Sequence, residues 1–384
     1  MNIMFDYILS QFIDDVSKLS VAKLNSGHIN STYLAESKSG KYVIQCINGN
    51  VFSNSAAVIK NAVIVSEHLK KKNPNNVLNY LKAKNGDYFY IDDNQNYWRC
   101  YKYVENAITY DSVDDLDIIR EVGKAYGEFA RNLLDFDVKR LEPTVEGFHD
   151  TEKRFEEAKR IFDGLSVDNE NGSSFPVCSR ETDDCDVFAF EIGESDSSDL
   201  KKERNNAVAK AWNLFSLYLK SEDDACQLCK LQRNGQIPLR ATHNDTKLNN
   251  VLIDRKTGKH SAVIDLDTVM PGLIANDYGD AIRSIAGTGA RDEHDLSKVK
   301  FDKEKAEAFS EGYLSEIGKY LEREEYKSLK YGLISMTLEL GIRYLTDYAE
   351  GNKVFKVSYP EENYYRARRL LKLAKEMKEL TYLN

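Results

Sequence analysis

The sequence predicts an α+β protein of two lobes, a small strand-rich N-terminal lobe followed by a larger helical one. Three observations carry that expectation. Up to about residue 105 the chain is dominated by short runs rich in aromatic and β-branched residues, the composition of strands. From residue 106 the apolar residues fall at helical spacing instead. At 384 residues the chain also exceeds what one ordinary core organises. The expected boundaries are 1–105 and 106–384.

In the first lobe, Val21 to Glu36 holds SGHINSTYLAE, a small-residue turn between two extended runs. GKYVIQCIN alternates as a strand does. Residues 55–72, SAAVIKNAVIVSEHLKKK, space their apolar positions as a helix, end in lysines that suit a helix C-terminus, and are stopped by NPNN. YFYIDDNQNYWRCYKYVEN reads as a hairpin, two aromatic-rich strands around an Asp-Asp-Asn turn.

In the second lobe, residues 112–135 form a helix opening on Ser112 with acids in its first turn. A second charged helix covers 152–164. Residues 165–200 are acidic, rich in Ser and Asp and without periodicity, and are expected to form an irregular insertion. Helical pattern resumes from Leu200 to Leu231, and from Asp302 onward nearly all is helix. A cleft between two such lobes is a common place for a ligand.

Composition excludes several classes. Hydrophobic residues at 42 % and charged residues at 30 % mark a globular chain. The net charge of −9 gives no support for a nucleic-acid or anionic-membrane partner. The N-terminus lacks a basic n-region, and no apolar run approaches the roughly 18 residues of a membrane span, so a cytoplasmic protein is expected. Its six cysteines are then reduced thiols. Cys226 and Cys229 have metal or redox spacing, but they sit in a helical pattern where positions i and i+3 merely share a face. A zinc site would need Cys178 and Cys185 from the polar insertion.

The chemistry-bearing stretch lies within 239–284, in THNDTKLNNVLIDRKTGKHSAVIDLDTVMPG. It reads as two loops flanking two short strands, VLID and SAVID. The first loop offers His243, Asp245, Lys247 and Asn250, and the second strand ends at Asp265. These residue types suit phosphoryl transfer, which needs a carboxylate to orient and deprotonate a hydroxyl, oxygen ligands for Mg²⁺, and cations on the transferred group. Asp245 fits the first task, and Asn250 and Asp265 the second. Lys247 fits the third. Asp267 is either a further metal or phosphate-side group or a turn cap. His243 is expected to brace its loop.

The H-x-D-x-x-x-x-N pattern followed by an Ile-Asp strand end resembles the aminoglycoside phosphotransferase / choline kinase family. The strings THNDTKLNNV, VIDLDTVMPG, DYGDAIRSIA, SGHINSTYL, YVIQCIN, YWRCYKYVEN, RDEHDL and LELGIRYLTDYAEG are similar to one branch of it, the bacterial N-acetylhexosamine 1-kinases. The resemblance covers nearly the whole chain except 165–200. It implies a protein-kinase-like fold, ATP and Mg²⁺ as cofactors, and a small-molecule sugar as substrate phosphorylated at its anomeric hydroxyl. Choline, homoserine, a thioribose or an aminoglycoside are alternative acceptors, and a nucleotide-binding pseudokinase is the alternative to an enzyme.

The resemblance also implies nucleotide contacts. Gly27, His28 and Asn30 lie in the turn that would cover the phosphates. Lys102, Tyr103 and Val104 stand at the inter-lobe hinge that would hold adenine. A protein-kinase-like lobe carries a phosphate-binding lysine on its third strand, paired with a helix glutamate. Here Gln45 occupies that place, and the helix offers Lys60 and Glu67. For the acceptor, Asp280 and Arg283 lie at i, i+3 after the metal loop, and Arg343 and Asp347 at i, i+4 on a later helix. Each pair is otherwise an ion pair of structural use. The choice between N-acetylglucosamine and N-acetylgalactosamine stays open.

Overall fold

The structure is a computed structural model that describes residues 2–24, 29–167 and 197–378. Gly27, His28, Cys178, Cys185 and most of the 165–200 insertion lie outside the described residues. In chain order the elements begin with α1 (Asn2–Ser10), β1 (Ser20–Leu24), β2 (Ser31–Ser37), β3 (Gly40–Cys46) and α2 (Ser55–Lys72). Then come β4 (Tyr90–Ile91), β5 (Tyr97–Lys102), β6 (Ala107–Ile108), α3 (Leu116–Asn132), α4 (Thr151–Val167), α5 (Ser197–Leu219), α6 (Glu222–Ala225) and α7 (Gln227–Arg233). After them follow β7 (Arg240–Thr242), β8 (Val251–Asp254), β9 (His260–Val263), β10 (Met270–Gly272), α8 (Ile274–Ala286), α9 (Lys303–Ile317), α10 (Arg323–Ala349) and α11 (Glu362–Lys378).

The chain divides into two compact units. The first comprises Met1–Phe148, Pro238–Ile285 and Lys303–Tyr326, and the second His149–Ile237, Ala286–Asp302 and Lys327–Asn384.

The first unit is built on an antiparallel sheet of order β1-β2-β3-β5-β4. The expected hairpin is β4 with β5, and the Trp98 indole N–H donates to Asp92 in its turn at 2.9 Å. β3 pairs with β5 so that Ile44 faces Cys100 and Gln45 faces Arg99. Because side chains alternate across a strand, Ile44, Trp98 and Cys100 turn to one face. There they join Phe5, Ile8 and Leu9 of α1 in an apolar cluster. Val43, Gln45, Arg99 and Tyr101 turn to the other.

The α2 helix spans the predicted residues. Asn54 caps it, its side-chain oxygen accepting from the Ala57 N–H at 3.0 Å, and Val58, Ile59 and Val63 are buried. The α3 helix starts later than the sequence suggests. Asp115, not Ser112, is the cap, accepting from the Asp117 N–H at 2.9 Å. A carboxylate at an N-terminus also answers the helix dipole. α3 and α9 pack face to face at glycines. A Cβ on Gly123 would stand 2.2 Å from the Phe309 carbonyl oxygen, and one on Gly312 1.9 Å from that of Arg120. Only hydrogen fits at these crossings.

The stretch 239–284 contributes to two small sheets, β7 with β10, and β8 and β9 with β6 from earlier in the chain. The Lys-Thr-Gly-Lys turn between β8 and β9 places Gly258 at φ +68°.

The second unit is helical. Its buried polar centre is Glu339 of α10, which accepts from Thr151 at 2.8 Å and meets the His149 imidazole at 2.9 Å. Gly341 lies against Tyr218, whose hydroxyl donates to the Ala367 carbonyl at 2.7 Å. Cys226 and Cys229 fall at the α6–α7 junction and within α7. Burial pushes their thiols up to about 12 and about 11. Among the described residues, no helix is long and apolar enough to cross a membrane.

Candidate active site

The loop after β7 is held from beneath by one carboxylate. Asp277, buried in the first turn of α8, accepts from the backbone N–H of His243 at 2.8 Å and of Asn244 at 2.7 Å. Asn244 has φ +62°, a conformation that costs a residue with a Cβ about 1 kcal/mol. Its side chain offsets this by donating to the Thr268 carbonyl at 2.9 Å. His243 is fully buried. Its Nε2 donates to the Ile264 carbonyl at 2.9 Å, which leaves Nδ1 to accept from the Asp245 N–H at 3.3 Å. Thr268 closes the frame by donating to the His243 carbonyl at 2.7 Å. His243 is thus a brace that fixes the two loops together.

On this frame Asp245 is presented with about a quarter of its side chain exposed. Lys247 reaches both of its oxygens, at 2.7 and 2.8 Å. Burial works against the lysine's charge, and the Asp245 carboxylate raises its proton affinity above the usual lysine range regardless. The Lys247 carbonyl accepts from the hydroxyl of Tyr126 of α3 at 2.6 Å. Asn250 donates from Nδ2 to the Asp245 carbonyl at 2.9 Å. An amide has one donor end and one acceptor end, so its oxygen is not spent on that bond.

Asp265 follows β9 at φ +59°, ψ +53°, a second left-handed residue with a side chain. The residue keeps solvent exposure. Crowding by the surrounding protein, together with the charges of Asp267 and Asp245, pushes its carboxyl up to about 6.

Asp267 is buried and neither caps the following turn nor faces solvent. Asn30 donates to one of its oxygens. The Nη2 of Arg99 lies 2.5 Å from the other. Asn30 in turn accepts from the Asn48 N–H at 2.9 Å. Gln45 does not present a free amide: it donates to Thr32 Oγ1 at 3.0 Å and accepts from Arg99 Nε at 2.9 Å. The α2 residues open at the outset have other partners. Lys60 pairs with Glu142 at 2.8 Å, and Glu67 accepts from Tyr88. From α2, Asn61 reaches the loop after β9, donating to the Val269 carbonyl at 2.9 Å.

Asp280 and Arg283 form an ion pair at 2.5 Å with both side chains nearly buried. Arg343 and Asp347 belong to the second unit. Asp347 accepts from the backbone N–H of Val354 at 2.7 Å and of Phe355 at 2.9 Å, and from Asn363 at 2.9 Å. Arg343 lies over the Phe355 ring, 5.5 Å from its centroid. At the end of β5, the N–H groups of Lys102 and Tyr103 are bound to the Asn79 and Lys41 carbonyls, each at 3.0 Å.

Sequence reasoning missed Arg99, Asn61 and Tyr126. Arg99 was legible in principle. An arginine inside the aromatic run YWRCYKY is an anomaly in a buried strand, and such a charge persists only when paired.

Residues 20–313 match the model of the phosphotransferase enzyme family. Among solved structures, a microcompartment-associated aminopropanol kinase is similar with a TM-score of 0.61 at 16 % identity, covering 98 % of this chain and 97 % of the other. A spectinomycin phosphotransferase, in complex with ADP and spectinomycin, gives 0.55 at 15 % identity over 98 % of both chains. An ethanolamine kinase of Plasmodium vivax gives 0.55 at 16 %, covering 96 % of this chain and 87 % of the other.

Proposed function

The chain belongs to the phosphotransferase enzyme family, and from that premise we propose that it transfers the γ-phosphate of ATP to the anomeric hydroxyl of an N-acetylhexosamine. The products would be ADP and the sugar 1-phosphate. The observation that carries the transfer is Asp245: a partly exposed carboxylate on a loop pinned by Asp277, His243 and Thr268, with Lys247 on both its oxygens. Such a group can orient a hydroxyl and take its proton as the phosphoryl leaves ATP. An anomeric hydroxyl is more acidic than an ordinary alcohol, which suits a base of weak proton affinity. Lys247 would bring its charge to the transferred group.

Asn250 and Asp265 are the oxygen donors for Mg²⁺. Mg²⁺ would take these two protein oxygens and complete its shell with phosphate oxygens and water. The fit rests on Asp265, whose carboxyl is pushed up first by desolvation and then by the neighbouring carboxylates of Asp267 and Asp245, a build-up of negative charge that a cation would offset. Bound there, Mg²⁺ would neutralise charge on the phosphates. Asp267 is occupied by Arg99 and Asn30 and is left out of the ligand set. For adenine, two of the three hinge N–H groups are engaged, which makes Val104 the donor of choice. Asp280 and Arg283 are the acceptor-side polar pair in this reading. The sugar itself is supported by the strings that surround these residues.

The test is ADP release with N-acetylglucosamine, N-acetylgalactosamine, choline, ethanolamine, homoserine and aminoglycosides, for wild type and Asp245→Asn. Release with an N-acetylhexosamine, reduced about 10²- to 10⁴-fold in kcat by the substitution with ADP affinity nearly unchanged, supports the reading. A variant that keeps most of its turnover removes Asp245 as the base. Release with an amino alcohol alone reassigns the acceptor.

A further inference from the structure

We propose that Arg99 of β5 supplies the phosphate-binding cation that β3 lacks at Gln45, donating from Nη1 to a phosphate oxygen of the nucleotide. The proposal rests on the nucleotide reading given above. A protein-kinase-like lobe answers the charge of the phosphates with a third-strand lysine, and here that strand carries an uncharged amide.

The charge stands directly across the ladder. Gln45 and Arg99 are register partners on antiparallel strands, and opposite residues project to the same face. A longer side chain from the neighbouring strand can therefore cover the ground a lysine at position 45 would cover. Gln45 then becomes its holder, fixing Nε at 2.9 Å. The ring of Tyr80 lies 5.8 Å from the guanidinium carbon. Arg99 is 1 % exposed.

Its three nitrogens are used unequally. Nε bonds Gln45, Nη2 lies against Asp267, and Nη1 is buried with no hydrogen-bond partner. A buried guanidinium nitrogen left unbonded costs free energy, and an acceptor brought by a ligand would relieve that cost. The surroundings identify the missing acceptor by chemistry. Asp267, which neutralises one side of Arg99, is two residues from the proposed metal ligand Asp265. Asn30, at the end of the turn between β1 and β2, holds the other Asp267 oxygen. The unsatisfied donor thus sits where Asn30, the third strand and the loop after β9 are tied together, and the fitting acceptor is a phosphate oxygen.

The experiment is calorimetric titration with adenosine, AMP and ADP in EDTA, so that no metal carries the phosphates. The proteins are wild type, Arg99→Gln, Arg99→Lys and the double variant Gln45→Lys/Arg99→Gln. Wild type should gain affinity from adenosine to ADP. Arg99→Gln should keep its adenosine affinity and lose about 10- to 100-fold for ADP, the range of one charge-assisted hydrogen bond. The double variant, with its cation moved to β3, should recover most of that loss. If Arg99→Gln does not fold, as thermal melting would reveal, Arg99→Lys carries the comparison: it keeps the charge but loses the forked donors, so it should keep its adenosine affinity and lose part of its ADP affinity, and equal or no loss overturns the proposal. Equal loss for adenosine and ADP, or no loss for ADP, overturns the proposal. A wild type that binds ADP no better than adenosine overturns it as well. A wild type that binds neither sinks the nucleotide reading on which it stands.

Discussion

At the scale of single residues, the site depends on how one buried carboxylate is used. Asp277 takes two consecutive backbone N–H groups from the loop that presents Asp245. Replacing it with alanine leaves both donors buried and unbonded, at about 1–3 kcal/mol each. Asp277→Ala should therefore lower stability by several kcal/mol. Asp277→Asn keeps one acceptor oxygen and should lose about 1–2 kcal/mol with a fall in kcat larger than any change in KM for ATP, because the loop carrying Asp245 loosens. Urea denaturation and steady-state kinetics on the pair of variants check this. An Asn variant with wild-type kcat would mean that the loop needs no such clamp. Asp277 was visible in the sequence only as one of two acids in NDYGDAIRS, and nothing in that string says which carboxylate turns back on His243. The placing of Asp245, Asn250 and Asp265 near one another was legible because only the hairpin of β8 and β9 lies between the first two and the third. Arg99 and Asp267 were not paired in advance because 168 positions separate them in the chain, and only the β5 register with Gln45 brings the guanidinium to that face.

At the scale of elements, α2, α3 and β9 are joined by one histidine. His260 at the start of β9 meets Glu121 of α3 at 2.8 Å through Nδ1 and Glu128 at 3.0 Å through Nε2. Glu128 also accepts from Asn73, the C-cap of α2, at 2.7 Å. Burial works against the imidazolium, but the two carboxylates outweigh it and raise the histidine above its usual range. The same bond lowers Glu128 to about 2. A raised histidine stabilises the fold fully below its unfolded value of about 6.5 and loses that contribution as pH rises through the folded value. A lowered glutamate contributes above about 4.3 and loses it as pH falls toward 2. The tie is therefore complete between about pH 4.5 and 6.5. His260→Gln should cost about 2 kcal/mol at pH 5.5, and the gap to wild type should shrink by pH 8.5. Thermal melts at the two pH values decide it, and a gap that is constant or widens with pH would show that the histidine is neutral. The helices and strands joined here were legible from periodicity. Their mutual packing was not: the glycines at 123 and 312 look like flaws in two helical patterns until α3 and α9 are seen to cross on them.

At the scale of the whole molecule, the two units are interleaved along the chain, each built from three separate stretches. Neither can be obtained by cutting the sequence once, so a test of where the nucleotide acts must be made on the full chain. Asn30, Gln45, Arg99, Lys102 to Val104, Asn250 and Asp265 all lie in stretches of the first unit. A ligand stabilises what it binds by RT ln(1 + [L]/Kd), about 2.7 kcal/mol at a hundredfold excess over Kd. Amides that exchange by opening of the binding unit should then slow by up to about 100-fold. Hydrogen exchange on the full chain with saturating ADP should show the largest protection in β3, β5 and the segment 241–268. Segments of the second unit such as α7 and α11 should respond less. Protection centred on α5 to α7 would place the nucleotide in the wrong unit and remove Arg99, Val104 and Asp265 from it together. The outcome also bears on what the sequence could convey. Strand and helix content mark the change of character near residue 105, but the return of 238–285 and 303–326 to the first unit depends on long-range contacts that no local pattern encodes.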